Sequence, residues 1–357
     1  MNQTKEKVHF YWLDLIRFIA ALAVVIVHTR CEVWETYRLL DEQSKNPITI
    51  LLYAILSQGG AGVIMFFALS GFLVGGRTIE RIVLGTVNLR QYIIDRSVRI
   101  GLPLIGSLIL IICVDCFIGQ KPDFITLFGN LFALQGILVD DAGGVFWTLS
   151  YEMWFYVLIG ALIVVFMRSN VLKLYGGIIL LLSLCAFTAL KTNLLFVLLF
   201  GVLAYYWCKQ EWKESNALLK GAVFCFCVCM LLSNLAADSH AFDKSAFTFL
   251  SSDVINTCLG FCSALIIMDV SKRKPTTKLQ TFFDSWGTKL AQFSYSLYLT
   301  HFQILRVIDY LFGKSTVIDL YAVWRLVLSV AVCIVWAYFF YLVTERQTAR
   351  VKGWFKK

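Results

Sequence analysis

Charge is scarce in this chain. Asp, Glu, Lys and Arg make up 15% of its 357 residues, against roughly 25% in a soluble globular domain. Hydrophobic residues reach 59% and mean hydropathy is +0.74, which excludes a soluble globular domain and leaves an integral membrane protein. A cleavable signal is missing too: the segment from Phe10 to Thr29 is long enough to span, carries Asp14 and Arg17, and has no small-residue cleavage site, so it reads as a retained first helix. Zinc-ligand spacing is absent. Of eleven cysteines, most lie in apolar runs, where free cysteine acts as a small hydrophobe. Cys225-x-Cys227-x-Cys229 alternates faces of a helix and is poor ligand geometry, so no metal is expected.

Long apolar runs are what is present. Hydropathy and length place ten spanning helices, at 10–29, 50–76, 98–118, 145–167, 171–189, 193–208, 218–236, 251–269, 289–312 and 319–344. The expected fold is therefore all-α, a polytopic membrane protein of about ten helices. With the N-terminus inside, 22 of the 32 Lys and Arg fall on cytoplasmic segments or span ends; outer loops hold seven, and Arg17, Arg306 and Arg325 lie within spans. This asymmetry puts both termini in the cytoplasm and accounts for the net charge of +9 without a nucleic-acid partner. The expected location is the plasma (inner) membrane. Residues 1–357 read as one membrane domain, with 346–357 a short basic cytoplasmic tail and no soluble esterase-like domain after residue 345.

The chemistry concentrates on the first helix, Asp14-Leu-Ile-Arg17 through His28. Ionisable groups in a bilayer are costly unless they face a polar interior, so three on one span point to function. Arg17 and His28 are eleven residues apart, which returns them to nearly the same face about 16 Å apart along the axis. The helix can hold two ends of one elongated ligand, with Asp14 pairing Arg17 as structural support. Arg96 and Arg99 share a helical face entering the third span and suit phosphate groups, or serve plain positive-inside anchoring. Glu152 lies about 10 Å into an inward-running span, at a depth matched to His28, so the two can pair. Asp123 to Val139 reads as a re-entrant or interfacial piece, and Arg77 to Gln91 as interfacial.

Other positions carry two readings each. Glycines including Gly71-x-x-x-Gly75 allow a neighbouring helix to approach. Ser70 can contact a ligand, though bonding back to its own helix is the commoner arrangement. His301, in the polar stripe Ser294-Tyr295-Ser-Leu-Tyr-Leu-Thr-His301, is a ligand contact or an interhelical hydrogen bond. Helices from 171 to 236 read as lipid-facing scaffold, and Asp253, Asp269, Asp309, Arg306 and Arg325 as paired or solvated groups near span ends.

Together these segments resemble the membrane-bound acyltransferase 3 family. Leu13, Asp14, Arg17 and His28 match its Leu-Asp-x-x-Arg start and Arg-x10-His pattern; Gly62-Val-x-x-Phe-Phe-x-x-Ser-Gly-Phe-Leu73, Arg96-x-x-Arg99, Phe146-Trp-Thr-Leu-Ser-Tyr-Glu152 and Ser294 to His301 resemble further motifs. Thr148 stands where the family commonly has Ser, Met153 where a second acid often follows, and Pro103 falls slightly late after Arg99. The resemblance covers essentially the whole chain. It implies a cytoplasmic acyl-coenzyme A donor, acetyl-CoA by family frequency, and a carbohydrate or glycolipid hydroxyl as acceptor near the outer face. Arg17, Arg96 and Arg99 would then bind the donor, with His28 as general base or acyl relay and Glu152 orienting it. Ser70, Trp147, Tyr295 and His301 are candidates for the substrate pocket. The competing class is an exporter of polysaccharide precursors; no internal repeat or pair of broken helices, common in transporters, supports it.

Overall fold

A computed structural model describes residues 10–167, 169–210, 214–236 and 252–355. The first nine residues, with Lys5, and also Lys244, Ser251 at the start of the expected span 251–269, and Lys356 and Lys357 of the expected basic tail lie outside the described residues. The described chain is helical, with only isolated bridges in place of strands. Among the described residues, eight segments are long and apolar enough to cross a membrane. The helices α1 (Leu13–Val33) and α13 (Ser294–Phe312) are not among those eight. In α1 the charged residues gather toward the two ends, Asp14 and Arg17 at one and Arg30 and Glu32 at the other, and in α13 polar residues run from Ser294 to Gln303; such groups in a membrane protein face its interior.

The first turn of α1 is pinned rather than frayed. Trp12, in the left-handed region at φ 64°, donates its amide to Asp284 at 2.9 Å and its indole Nε1 to the Arg273 carbonyl at 2.8 Å. Asp284 belongs to α12 (Lys278–Ala291). This helix lies across the start of α1 so closely that a Cβ on Gly287 would sit 2.6 Å from Leu15 Cβ.

The second expected span is longer than its sequence boundaries of 50–76. It comprises α2 (Pro47–Leu56), α3 (Gly59–Ser70), a π-helical turn at Gly71–Gly76, and α4 (Arg77–Val83). Its glycines explain its central place. A Cβ on Gly62 would meet the Ala20 carbonyl oxygen of α1 at 2.6 Å, and one on Gly71 would meet the Leu198 carbonyl oxygen at 1.9 Å. Leu198 is on α9 (Thr192–Lys209). The sequence assigned that helix to lipid-facing scaffold, but its Val197, Leu198, Gly201, Ala204 and Tyr205 are buried. Close backbone approach, with Gly201 against the Ala68 carbonyl, makes α9 part of the core. Single-residue hydropathy does not show such packing.

Helix α5 (Leu89–Phe117) begins nine residues before its expected start, and it continues through Pro103. Two connected helices follow, α6 (Phe124–Leu131) and α7 (Trp147–Val165). Helix α6 exposes Phe124, Ile125 and Phe128, as an interfacial piece does. The loop between α6 and α7 is tied down by Asn130, which donates to the carbonyls of Thr126 and Asp140 at 2.8 Å, and by buried Gln135, which donates to the Phe146 carbonyl at 2.8 Å. Asp141 accepts the amides of Gly143 and Trp147 at the start of α7. Burial pushes its carboxyl up from the ordinary range, and these backbone hydrogen bonds pull it back.

Two helices, α8 (Asn170–Ala189) and α10 (Asn216–Ala236), sit at the edge, and α11 (Ser252–Val270) joins α3, α7 and α9 in the largest apolar cluster. A second cluster joins α1, α13 and α14 (Leu320–Val343). The charges near span ends are mostly paired: Arg306 with Asp115 at 2.7 Å and Arg273 with Asp269 at 2.5 Å. A short helix, α15 (Thr348–Trp354), closes the chain and is held to α5 by Lys352 and Asp95 at 3.1 Å.

Candidate active site

Helices α1 and α13 run parallel, as Phe18 meets Phe293 at one level and His28 meets His301 at another. Helix α7 runs the other way, with Thr148 hydrogen-bonded to Tyr298. These three helices, with α3 and α5, enclose a cavity of about 390 Å³, within the range of small-molecule sites.

Four arginines line it: Arg17, Arg77, Arg96 and Arg99. Three carboxylates share it, Asp14, Glu152 and Glu345. Asp14 accepts from Arg17 at 3.0 Å, and Glu345 accepts from the Ser296 hydroxyl at 3.0 Å and its amide at 3.3 Å. The Arg96 guanidinium lies over the Tyr156 ring at 5.5 Å from its centroid, within the reach of about 6 Å of a cation–π contact. Tyr156 in turn hydrogen-bonds Ser70 at 3.0 Å. Ser70 therefore bonds across to α7 instead of back to its own helix. Two buried donors in the cavity wall, Arg96 Nε and the Tyr295 hydroxyl, have no hydrogen-bond partner, an arrangement that calls for a polar ligand.

His28 does not line this cavity. Its Nδ1 is 2.9 Å from Nε2 of His301, and the rings lie end to end, with centroids 5.1 Å apart and planes inclined by 24°. His301 is fully buried, and its own Nδ1 is 3.0 Å from the Leu297 carbonyl oxygen. Tyr298 stands between pair and cavity. Its ring is 6.1 Å from that of His301, it lines the cavity, and its hydroxyl donates to the Val145 carbonyl at 2.5 Å.

The expected pairing of His28 with Glu152 is corrected. Tyr298 is one turn from His301 and level with Thr148, and Glu152 is a further turn away, so Glu152 falls about 10 Å along the axis from the histidines. It faces Arg99, Arg17, Arg96 and Ser70 instead. Residue counting placed Glu152 at roughly the right depth within its own helix, but α1 continues five residues past His28 to Val33, which moves the histidine off the membrane boundary assumed for it. Trp147 is likewise outside the cavity, 41% exposed and edge-on to Tyr151. Arg17, Ser70, Arg96, Arg99 and Tyr295 do converge there. Sequence reasoning missed Arg77, Thr148, Tyr156, Tyr298 and Glu345 as lining residues. The glycines of the π-helical turn just before Arg77 were the available signal, since π-turns recur at functional sites.

A polar cavity among helices of which α3, α5 and α7 belong to membrane-compatible segments, with a hydrogen-bonded imidazole pair beyond Tyr298, fits a multi-pass membrane protein. The family model described as an acyltransferase domain matches residues 10–342, and the chain belongs to this acyltransferase 3 family. No curated protein and no solved structure gives a significant match. The protein is thus a multi-pass membrane acyltransferase. Among the described residues, no group of three or more His, Cys, Asp or Glu side chains is placed to hold a metal ion.

Proposed function

We propose that the protein is an O-acyltransferase of the plasma membrane that moves an acyl group, acetyl in the simplest case, from acyl-coenzyme A to a hydroxyl of an extracytoplasmic polysaccharide or glycolipid. The observation that carries this reading is the cavity with four arginines and two unpartnered donors next to the histidine pair. Guanidinium forks suit phosphate oxygens bidentately. Arg96 and Arg99 would hold the phosphates of the donor, Arg17 and Arg77 would complete the cationic wall, and Tyr295 would offer its hydroxyl to the arm. Asp14 keeps Arg17 in place. Glu152, among the arginines, holds their geometry when the donor is absent.

With the Arg17 end of α1 on the cytoplasmic side, the nucleotide stays there and only the slender thioester arm approaches His28. Residues 1–357 work as one domain in this scheme, with 346–357 a basic tail at the cytoplasmic surface. His28 takes the proton of the acceptor hydroxyl as its oxygen bonds to the thioester carbon. The carbon–sulfur bond breaks, and the same proton passes to the departing thiolate, so charge balances over the cycle.

The test uses purified protein in vesicles, acyl-labelled acetyl-CoA and envelope glycan as acceptor. Transfer of label to the glycan supports the reading. Translocation of unmodified glycan with no label transfer would refute it in favour of an exporter. A mass comparison of surface glycans with and without the protein names the acyl group and the acceptor class.

A further inference from the structure

We propose that His301 is a positioning residue that fixes the tautomer of His28, leaving Nε2 of His28 as the bare, proton-accepting nitrogen. The inference rests on His28 acting as the base in the transfer proposed above. It is carried by two contacts read in sequence. The Leu297 carbonyl has no hydrogen to give, so at 3.0 Å the Nδ1 of His301 is the donor. A neutral imidazole has one N–H, so Nε2 of His301 holds a lone pair. That nitrogen is 2.9 Å from Nδ1 of His28, and the hydrogen in this contact therefore belongs to His28. His28 is the Nδ1–H tautomer, and its Nε2 is unprotonated.

Burial makes the neutral form of His301 the fitting one. The ring is fully enclosed, and its ring contacts are His28, Tyr298 and the Leu297 carbonyl, none of them a carboxylate. A charged imidazole there would be buried without a counter-ion, which the low-dielectric interior disfavours. A protein fixes which imidazole nitrogen is free through the hydrogen bond made by the other. Carboxylates and carbonyls commonly do this; here a second imidazole does.

The chain of donors also sets what happens during transfer. When Nε2 of His28 accepts the proton of the acceptor hydroxyl, Nδ1–H continues to donate to His301. His301 stays neutral because its own Nδ1–H remains with Leu297. The positive charge thus rests on His28, beside a lone pair, until Nε2–H protonates the departing thiolate. The second histidine holds the base in register and takes no proton itself.

Two variants separate positioning from packing. His301→Gln carries an amide oxygen to about the place of Nε2 and keeps an acceptor for His28. His301→Phe keeps a ring of similar size and removes it. In the label-transfer assay, kcat should fall ~100-fold or more in His301→Phe, the lower end of general-base effects, with KM for acetyl-CoA within about twofold. His301→Gln should recover kcat to within ~10-fold of the native protein, since the hydrogen bond is restored. The independent readout is nitrogen NMR of histidine-labelled protein in lipid nanodiscs without substrate, with the His28 signals identified by their loss in His28→Gln.

The native protein should show His28 protonated at Nδ1 and bare at Nε2, and His301→Phe should lose that preference. A native His28 protonated at Nε2 overturns the proposal, as does equal loss of kcat in both His301 variants with the His28 tautomer unchanged. The functional reading fails separately: native protein with the bare Nε2 but no label transfer would overturn the transferase and leave the tautomer standing.

Discussion

Helices α10 and α13 invert the pattern of a soluble protein. Helix α10 is nearly all apolar, yet Val223, Phe224, Val228 and Leu231 are exposed, as are Cys225 and Cys227. Helix α13 carries the polar stripe and buries it: Ser294, Ser296, Thr300, His301 and Gln303 are each at most 1% exposed. In hydrocarbon the apolar face costs nothing, while each polar group must find a partner inside the protein. The partners are present. Ser296 and Glu345 bond at 3.0 Å, Thr300 reaches the Ser296 carbonyl at 2.9 Å, and Gln303 accepts from Arg306 at 2.8 Å. Polarity within a span therefore marks the interior of this protein, and hydrophobicity its rim.

Breaking the interior should be costly in proportion to the chemistry lost. The largest effect is expected for His28→Ala, which should lower label transfer by ~10²–10⁴-fold, the range of a lost general base. Size-exclusion chromatography of the detergent-extracted variant should still show folded protein, and retained transfer would refute the assignment. Next is Gln303→Leu on α13. It leaves the Gly143 carbonyl, now accepting at 3.3 Å, and the Arg306 donor at 2.8 Å without their side-chain partner. A loss of about 1–3 kcal/mol should follow, read as a lower midpoint of thermal unfolding in detergent.

Arg96→Ala sharpens the comparison within the site. It removes one guanidinium fork from the cavity and should raise KM for acetyl-CoA ~10-fold, about 1.4 kcal/mol, with a smaller change in kcat. An unchanged KM with a collapsed kcat would place Arg96 in the chemical step instead. The smallest effect belongs to α10: Cys227→Ala should alter the unfolding midpoint by no more than ~0.5 kcal/mol equivalent, as for substitutions away from packed features. A large loss there would mean that the exposed face of α10 is covered by another surface.

Much of this is legible in the sequence. Hydropathy marked the helices, and the Arg17–His28 spacing singled out α1. The Arg96–Arg99 pair pointed to a phosphate-suited wall, and both arginines do face the cavity. The glycines of the second span announced close packing, which α9 supplies. Other assignments failed for one shared reason. Counting residues along a helix gives depth, but it does not give azimuth, the direction each side faces. Ser70 was expected to bond within its own helix and instead meets Tyr156. Trp147, a candidate for the substrate pocket, is 41% exposed and does not line the cavity. Glu152 was matched to His28 by depth alone.

By itself, then, the sequence determined an all-helical membrane protein with ionisable residues gathered on α1, because the bilayer penalises every unpaired polar group and leaves that record in composition and period. Tertiary structure decided the company each group keeps. Residues 273 positions apart, His28 and His301, meet because α1 and α13 pack in parallel with those faces turned together. Helix rotation about its axis is set by the neighbours on every side at once, and no single segment encodes it.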